Sequence, residues 1–267
     1  MNFFETFFFW IGVFFYILSF ILLLIFVIFK KEKVSPLVIY ITSAGFIFHT
    51  CSGVIRWIAT SHPPVLAGYE NSLAGAWFVI LIAILLSFRY RVARYFLLLV
   101  LPFSLLMLGN GLMHGSSYES LSPSFKSPWL AVHVLFAWLA YGSFAVAAGV
   151  SVYYILIHSG VVGNEDRKRG LDDINLRLIG FGFIAHTVMV GAGAIWAYGL
   201  WGSYWSWDPV ETWSLITWFA YGLNIHLQLT MGWRGLRGAI VTVLCLGTVI
   251  ITYFGLGLIP DLHAGLL

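Results

Sequence analysis

The chain has 267 residues, 60% of them hydrophobic and only 9% charged, with a formal net charge of +3 and a mean hydropathy of +0.92. This composition excludes a soluble globular domain and a disordered tail, and it marks an integral membrane protein. Its two cysteines, Cys51 and Cys245, each lie inside an apolar run and form no motif pair. The 14 basic residues sit in loops rather than on a nucleic-acid-binding surface, so no nucleic-acid partner is expected.

Eight apolar runs are long enough, or nearly so, to cross a hydrocarbon core of about 30 Å. In chain order they cover 3–29, 36–59, 73–88, 95–110, 129–158, 176–200, 210–231 and 238–259. The third and fourth are short, but flanking residues can extend the helix. No window between them has the length of a soluble domain, and no internal repeat is present. Residues 1–267 therefore read as one all-α polytopic membrane domain of eight transmembrane helices. Lys30, Lys31 and Lys33 follow the first run, and Arg89, Arg91 and Arg94 follow the third. Arg167, Lys168, Arg169 and Arg177 follow the fifth, and Arg234 and Arg237 the seventh. The alternate loops hold only Arg56 and Lys126. The positive-inside rule then puts both termini on the outer (periplasmic, extracytoplasmic or lumenal) side.

The most distinctive stretch runs from Trp196 to Trp218 and contains six of the 12 tryptophans: Trp196, Trp201, Trp205, Trp207, Trp213 and Trp218. Residues 196–218 form an outer loop and the helix start after it. Trp is flat and amphipathic, with one N–H donor. A row of such faces broken by Gly and Ser suits a flat apolar ligand with a polar edge, such as a porphyrin. An aromatic belt at headgroup level is the plainer reading, but a belt spreads over many helix ends, and this cluster sits at one.

Two histidines approach the same side. His133 lies just inside the fifth run, where Ser127-Pro128 reads as N-cap and N1, and His263 lies beyond Pro260. A histidine at an interface is ordinary, but a pair on opposite faces of a porphyrin saturates its iron. His226 sits about 22 Å below the outer end of the seventh run, in the inner third of the bilayer, where an ionisable side chain signals function. His49 and His186, also intramembrane, read better as helix–helix hydrogen-bond donors. Asp208 as N-cap, Pro209 as N1 and Glu211 as N3 form a capping box rather than an acid–base pair. Arg56 is a candidate for the carboxylates of a porphyrin, through a bidentate guanidinium. Its alternative is a snorkelling interfacial Arg.

The run Trp201-Gly202-Ser203-Tyr204-Trp205-Ser206-Trp207-Asp208 matches the W-G-x-x-W-x-W-D (WWD) signature. In this the chain resembles the haem-handling membrane protein family. The continuation through Glu211, Thr212, Trp213, Ile216, Thr217, Trp218 and His226, then Gly232-Trp233-Arg234-Gly235, Thr252-Tyr253 and Leu262-His263, resembles one branch of it. That branch is the CcsA (ResC) subunit of the System II cytochrome c synthase, in bacterial inner (cytoplasmic) membranes and in plastids, where the membrane would be the thylakoid. The similarity is dense from about Gly191 to His263 and thin in the first 125 residues, where only the topology agrees. Val210 departs from the lysine frequent after Asp-Pro, and the tail Pro-Asp-Leu-His-Ala-Gly departs from Gly-Leu-His-Ser.

The resemblance implies non-covalent haem b on a platform that includes Trp196, Trp201, Trp205, Trp207 and Trp213, with His133 and His263 as iron ligands. It implies that His226 binds haem on its way outward, with a second ligand from the CcsB (ResB) subunit. It further implies covalent thioether attachment of haem to a Cys-x-x-Cys-His segment of apocytochrome c, kept reduced by a thioredoxin-like protein. This chain would supply positioning, with no general acid or nucleophile. Two rivals are a haem exporter of the CcmC type, which hands haem on without attachment, and a respiratory b-type cytochrome. The first looks like six spans, and the second would want histidine pairs on facing helices within the bilayer.

Overall fold

The computed structural model describes residues 1–29, 36–64, 68–118, 126–162, 168 and 170–255. All long regular elements among the described residues are helical. They are α1 (Phe3–Ile28), α2 (Pro36–Thr60), α3 (Gly68–Arg89), α4 (Leu97–Met113), α5 (Pro128–His158), α6 (Leu171–Trp201), α7 (Pro209–Leu229) and α8 (Leu236–Ile250). A 3-10 segment, Arg91–Phe96, leads directly into α4, and a π-helical turn, Ile251–Gly255, closes α8.

Among the described residues, seven helical stretches are long and apolar enough to cross a membrane. The short fourth run does so because the 3-10 turn extends it to Val92–Met113, as its flanks allowed. The exception is α7, which has 21 residues and is therefore about 31 Å long, but is too polar to stand with the others. Its buried residues are Ser214, Thr217, Tyr221, Asn224 and Gln228, every one bearing a polar group. Phe219 and Leu223 face outward. The inward side chains bond to one another and to α8, at a hydroxyl that α6 shares. Asn224 Nδ2 and Asn175 Nδ2 both donate to Thr242 Oγ1, at 3.1 and 3.2 Å, and Gln228 Nε2 donates to Asn224 Oδ1 at 2.9 Å. Interhelical bonds of this kind are worth about 1 kcal/mol or less each in a membrane.

Helix α5 is the central column. It packs along α6 and also meets α3, α4 and α8. From Gly142 to Val150 every residue is buried, most of them small. Small residues let helices approach closely where lipid offers no hydrophobic drive for association. Phe144 stacks on Tyr221 of α7 with ring centroids 3.5 Å apart.

Contacts between helix ends establish which ends lie together. Asp172 and Asp173 at the start of α6 meet Gly235 N and Arg234 before α8, at 3.1 and 2.9 Å. At the opposite end, Tyr253 donates to Ser72 at the start of α3 (2.9 Å), and Thr252 to the Trp213 carbonyl (3.4 Å). The helices thus alternate, and the loops carrying Arg89, Arg94, Lys168, Arg177, Arg234 and Arg237 form a basic end, with a Trp-rich end opposite. Lys30, Lys31, Lys33, Arg167 and Arg169 lie outside the described residues.

Candidate functional site

The Trp-rich loop is held at both sides by helix caps. Helix α6 stops at Gly202, which takes φ +71° and gives its N–H to the Tyr198 carbonyl at 2.9 Å. This is the left-handed closure that glycine makes at little cost. Helix α7 starts at Asp208, whose carboxylate accepts the Glu211 N–H at 2.8 Å, with Pro209 at the first helical position. The expected capping box is present in altered form. Glu211 reaches past the cap residue to accept the Ser206 N–H at 2.7 Å and the Ser206 hydroxyl at 3.2 Å. Between the two clamped residues Trp207 is forced to φ +60°. A non-glycine residue in that region carries about 1–3 kcal/mol of strain, and its ring is 69% exposed.

The aromatic groups form pairs rather than one stack. Trp205 and Trp207 meet edge to face at 5.8 Å, Trp196 and Trp201 at 5.6 Å, and Tyr198 and Tyr204 stack at 4.3 Å. Trp201 is exposed; Trp196, Trp205 and Trp213 are half-buried. The Trp205 indole N–H is shielded and finds no partner among the described residues, an open donor in the loop. Replacing Asp208 by Asn keeps most of the cap, whereas Ala should cost about 0.5–2 kcal/mol. Asp208→Asn is therefore expected to keep the loop ordered and Asp208→Ala to release it, as read by Trp fluorescence and by ligand retention. Equal loss in both variants with ligand still bound would give the carboxylate a chemical role instead.

His133 lies below this loop. Its Nδ1 is 2.8 Å from the Met189 carbonyl of α6. A carbonyl can only accept, so Nδ1 carries the proton and Nε2 keeps its lone pair, the arrangement of a metal-binding imidazole. Met189 is level with His133, so α6 continues about 18 Å beyond that level to Trp201, whereas α5 continues only about 8 Å to its start. The Trp-rich loop therefore stands on an extension of α6, with Gly193 and Trp196 between His133 and the loop.

The other histidines divide as the sequence indicated. His49 donates from Nε2 to the Leu73 carbonyl (3.1 Å) and accepts the Tyr16 hydroxyl at Nδ1 (3.1 Å), which uses both nitrogens. His186 donates from Nε2 to the Ser214 carbonyl (3.0 Å), tying α6 to α7, and its buried Nδ1 has no partner among the described residues. Both are helix–helix ties. His226 lies on the outward face of α7 near Phe219 and Leu223, exposed, with no side-chain hydrogen bond among the described residues. His263 lies outside the described residues.

Arg56 departs from expectation. It is fully buried, neither snorkelling nor offered to a ligand. Its Nε donates to Glu70 (2.9 Å), and its two terminal nitrogens donate to the Ser116 and Ser117 carbonyls (2.8 and 2.6 Å). Glu5 lies 3.6 Å away, and the rings of Tyr69 and Tyr118 flank the guanidinium at 5.0 and 4.8 Å. The Tyr118 hydroxyl donates to Glu5 at 2.6 Å. Loss of water and the bond to that carboxylate hold the Tyr118 phenol above its usual range. The role of carboxylate partner to a ligand is thus removed from Arg56, because internal carboxylates and carbonyls already take its donors. The sequence reading passed over Glu5 and Glu70, each an acidic residue in the first turn of an apolar helix, and also Met189 and Gly193.

The architecture is that of a polytopic helical membrane protein with a capped, tryptophan-rich loop over a histidine whose Nδ1 is tied to the backbone of α6. The family model for "Cytochrome C assembly protein" matches residues 65–263. Curated relatives include the "Cytochrome c biogenesis protein CcsA" of Chlamydomonas reinhardtii, 32% identical over 79% of this chain and 63% of that one. The protein of the same name from Gloeobacter violaceus is 32% identical over 78% of this chain and 80% of that one. The one from Prochlorococcus marinus is 30% identical over 89% and 88%. The chain thus spans less than two thirds of the Chlamydomonas protein. Among solved structures, "Cytochrome c Heme Lyase CcmF" shares the fold with a TM-score of 0.71 at 17% identity, over 94% of this chain and 46% of that one. The chain belongs to the cytochrome c assembly protein family, in its CcsA branch.

Proposed function

We propose that this chain acts in cytochrome c biogenesis as the membrane subunit that carries haem across the bilayer and presents it for covalent attachment. The observation that carries the reading is His133. Its Nδ1–H is tied to the Met189 carbonyl at 2.8 Å, and Nε2 is left as a ligand atom beneath an exposed tryptophan loop. The residues fit haem as cargo. His133 supplies one axial nitrogen and His263 the other, Trp196, Trp201, Trp205, Trp207 and Trp213 supply aromatic faces, and the Trp205 N–H supplies an open donor. Bis-histidine ligation leaves no free position for oxygen on the iron.

In this reading all eight helices cross, α7 with its polar seam turned inward, and the Trp-rich end and both termini face the periplasm or lumen. The basic loops stay in the cytoplasm or stroma. Non-covalent haem b enters at His226, whose outward position leaves room for a ligand from the CcsB (ResB) subunit. At the outer end an apocytochrome c Cys-x-x-Cys-His segment, kept reduced by a thioredoxin-like protein, displaces one histidine. Each thiol then adds across a haem vinyl group, sulfur to one carbon and hydrogen to the other, with no leaving group. The chain contributes alignment, an effect of up to about 7–11 kcal/mol for well-oriented partners. It thereby serves as the haem-attaching subunit of a holocytochrome c synthase.

His133→Ala, expressed with the partner subunit, tests this. The low-spin spectrum of co-purified haem should be lost or shifted, and c-type cytochrome yield should fall. Added imidazole should restore part of both by filling the vacated position. An unchanged spectrum together with full cytochrome assembly would rule the site out.

A further inference from the structure

The glycines in the outer part of α6 are not equivalent. Gly191 and Gly199 face open space, whereas a Cβ on Gly193 would lie 2.6 Å from His133 Nδ1 and 3.0 Å from its Cε1. Gly193 is four residues past Met189, so its N–H is directed in an α-helix at the Met189 carbonyl. That is the oxygen that accepts the His133 Nδ1–H at 2.8 Å. The imidazole therefore rests on bare helix backbone, where a Cβ would meet its ring. Glycine in a helix interior is unfavourable relative to alanine, and the space taken by this ring gives it a physical reason.

The bond to Met189 does two things for His133. It selects the tautomer that leaves Nε2 unprotonated, and it fixes the ring's rotation. A methyl group at position 193 would push Nδ1 away from the carbonyl. The ring would then be free to turn and to place its proton on Nε2, which cannot bind a metal in that form.

We propose that Gly193 is a positioning residue for haem ligation, which holds the His133 imidazole against the Met189 carbonyl so that Nε2 faces the iron. The proposal rests on the reading of His133 as an axial ligand. It extends the functional site to a residue that never touches haem.

The test compares Gly193→Ala, Gly191→Ala and His133→Ala in the full chain, each co-expressed with the partner subunit and purified with its haem. Absorption and electron paramagnetic resonance report the ferric spin state, and a thermal scan reports folding. Gly193→Ala should shift most of the haem from low to high spin, as His133→Ala does, and added imidazole should return it to low spin. Its melting temperature should equal or exceed the parent's, because alanine favours the helix. Gly191→Ala gains the same helix propensity without meeting the ring, and should keep the parent spectrum. A parent-like low-spin spectrum in Gly193→Ala, with a changed one in His133→Ala, would overturn the positioning role and leave the ligand reading standing. A lowered melting temperature with loss of haem that imidazole does not restore would make Gly193 a packing residue and also overturn it. A parent-like spectrum in His133→Ala would overturn the ligand reading and the positioning role together.

Discussion

Replacing Arg56 by Gln is expected to destabilise the Trp-rich end of the bundle by about 3–5 kcal/mol, the usual cost of removing one partner from a buried ion pair. Arg56 is fully buried against Glu5 and Glu70, which are themselves 0% and 1% exposed. Glu5 Oε1 and Glu70 Oε2 accept no hydrogen bond among the described residues; Arg56 faces both carboxylates, and His62 Nδ1 lies 3.8 Å from Glu70 Oε2. The Ser116 and Ser117 carbonyls just past α4 would also each lose a donor, with Met1 N remaining on Ser116. Arg56→Lys should fall between, since an ammonium keeps the charge but not the fork that spans Glu70 and two carbonyls. Removing all three charges together (Glu5→Gln, Arg56→Met, Glu70→Gln) should recover much of the loss, because no buried charge is then left unpaired. Thermal aggregation of the detergent-solubilised chain reads the effect. Parent-like stability in Arg56→Gln would mean that water or another cation serves the two carboxylates.

His226→Ala should leave the fold intact and lower the haem that reaches the Trp-rich end. The side chain lies about 26 Å down α7 from Pro209 on the outward face, so its removal opens no cavity in the bundle. A structural role therefore predicts almost no effect, whereas an entry ligand predicts a large fall in co-purified haem with His133 and the tryptophans untouched. The His186→Ala/His226→Ala double variant checks for rescue by the buried imidazole whose Nδ1 has no partner among the described residues. Parent-level haem in His226→Ala, expressed with the partner subunit, would sink the relay.

The legible parts of this molecule were those set by local chemistry. Helix positions followed from apolar runs, because lipid demands them. The Asp208-Pro209 start of α7 followed from capping rules that act over four residues. The assignment of His49 and His186 as helix ties followed from the tendency of intramembrane imidazoles to hydrogen-bond across helices. What escaped depended on residues far apart in the chain. Arg56, by its position an outer cation that either snorkels or meets a ligand, does neither, because its partners Glu5 and Glu70 on other helices hold it. The reach of Glu211 to Ser206 depends on a loop conformation that forces Trp207 to φ +60°, which no spacing rule gives. Gly193 had no local signal at all. Only the approach of α5 shows what its missing side chain makes room for.

The composition of α7 bears on how the chain is built into its membrane. Alone in the bilayer, this helix would expose Asn224 and Gln228 to lipid, where polar side chains oppose insertion. Asn224 finds its acceptor in Thr242 of α8, a hydroxyl that Asn175 of α6 also donates to. Thr242 lies on the segment made after α7. In the proposed eight-span arrangement, α7 gains the acceptor for Asn224 only once α8 has been made. On that arrangement the two helices are expected to insert as a pair. The segment that frames the tryptophan loop is among the last to be committed, so the ligand platform is completed only when the bundle is.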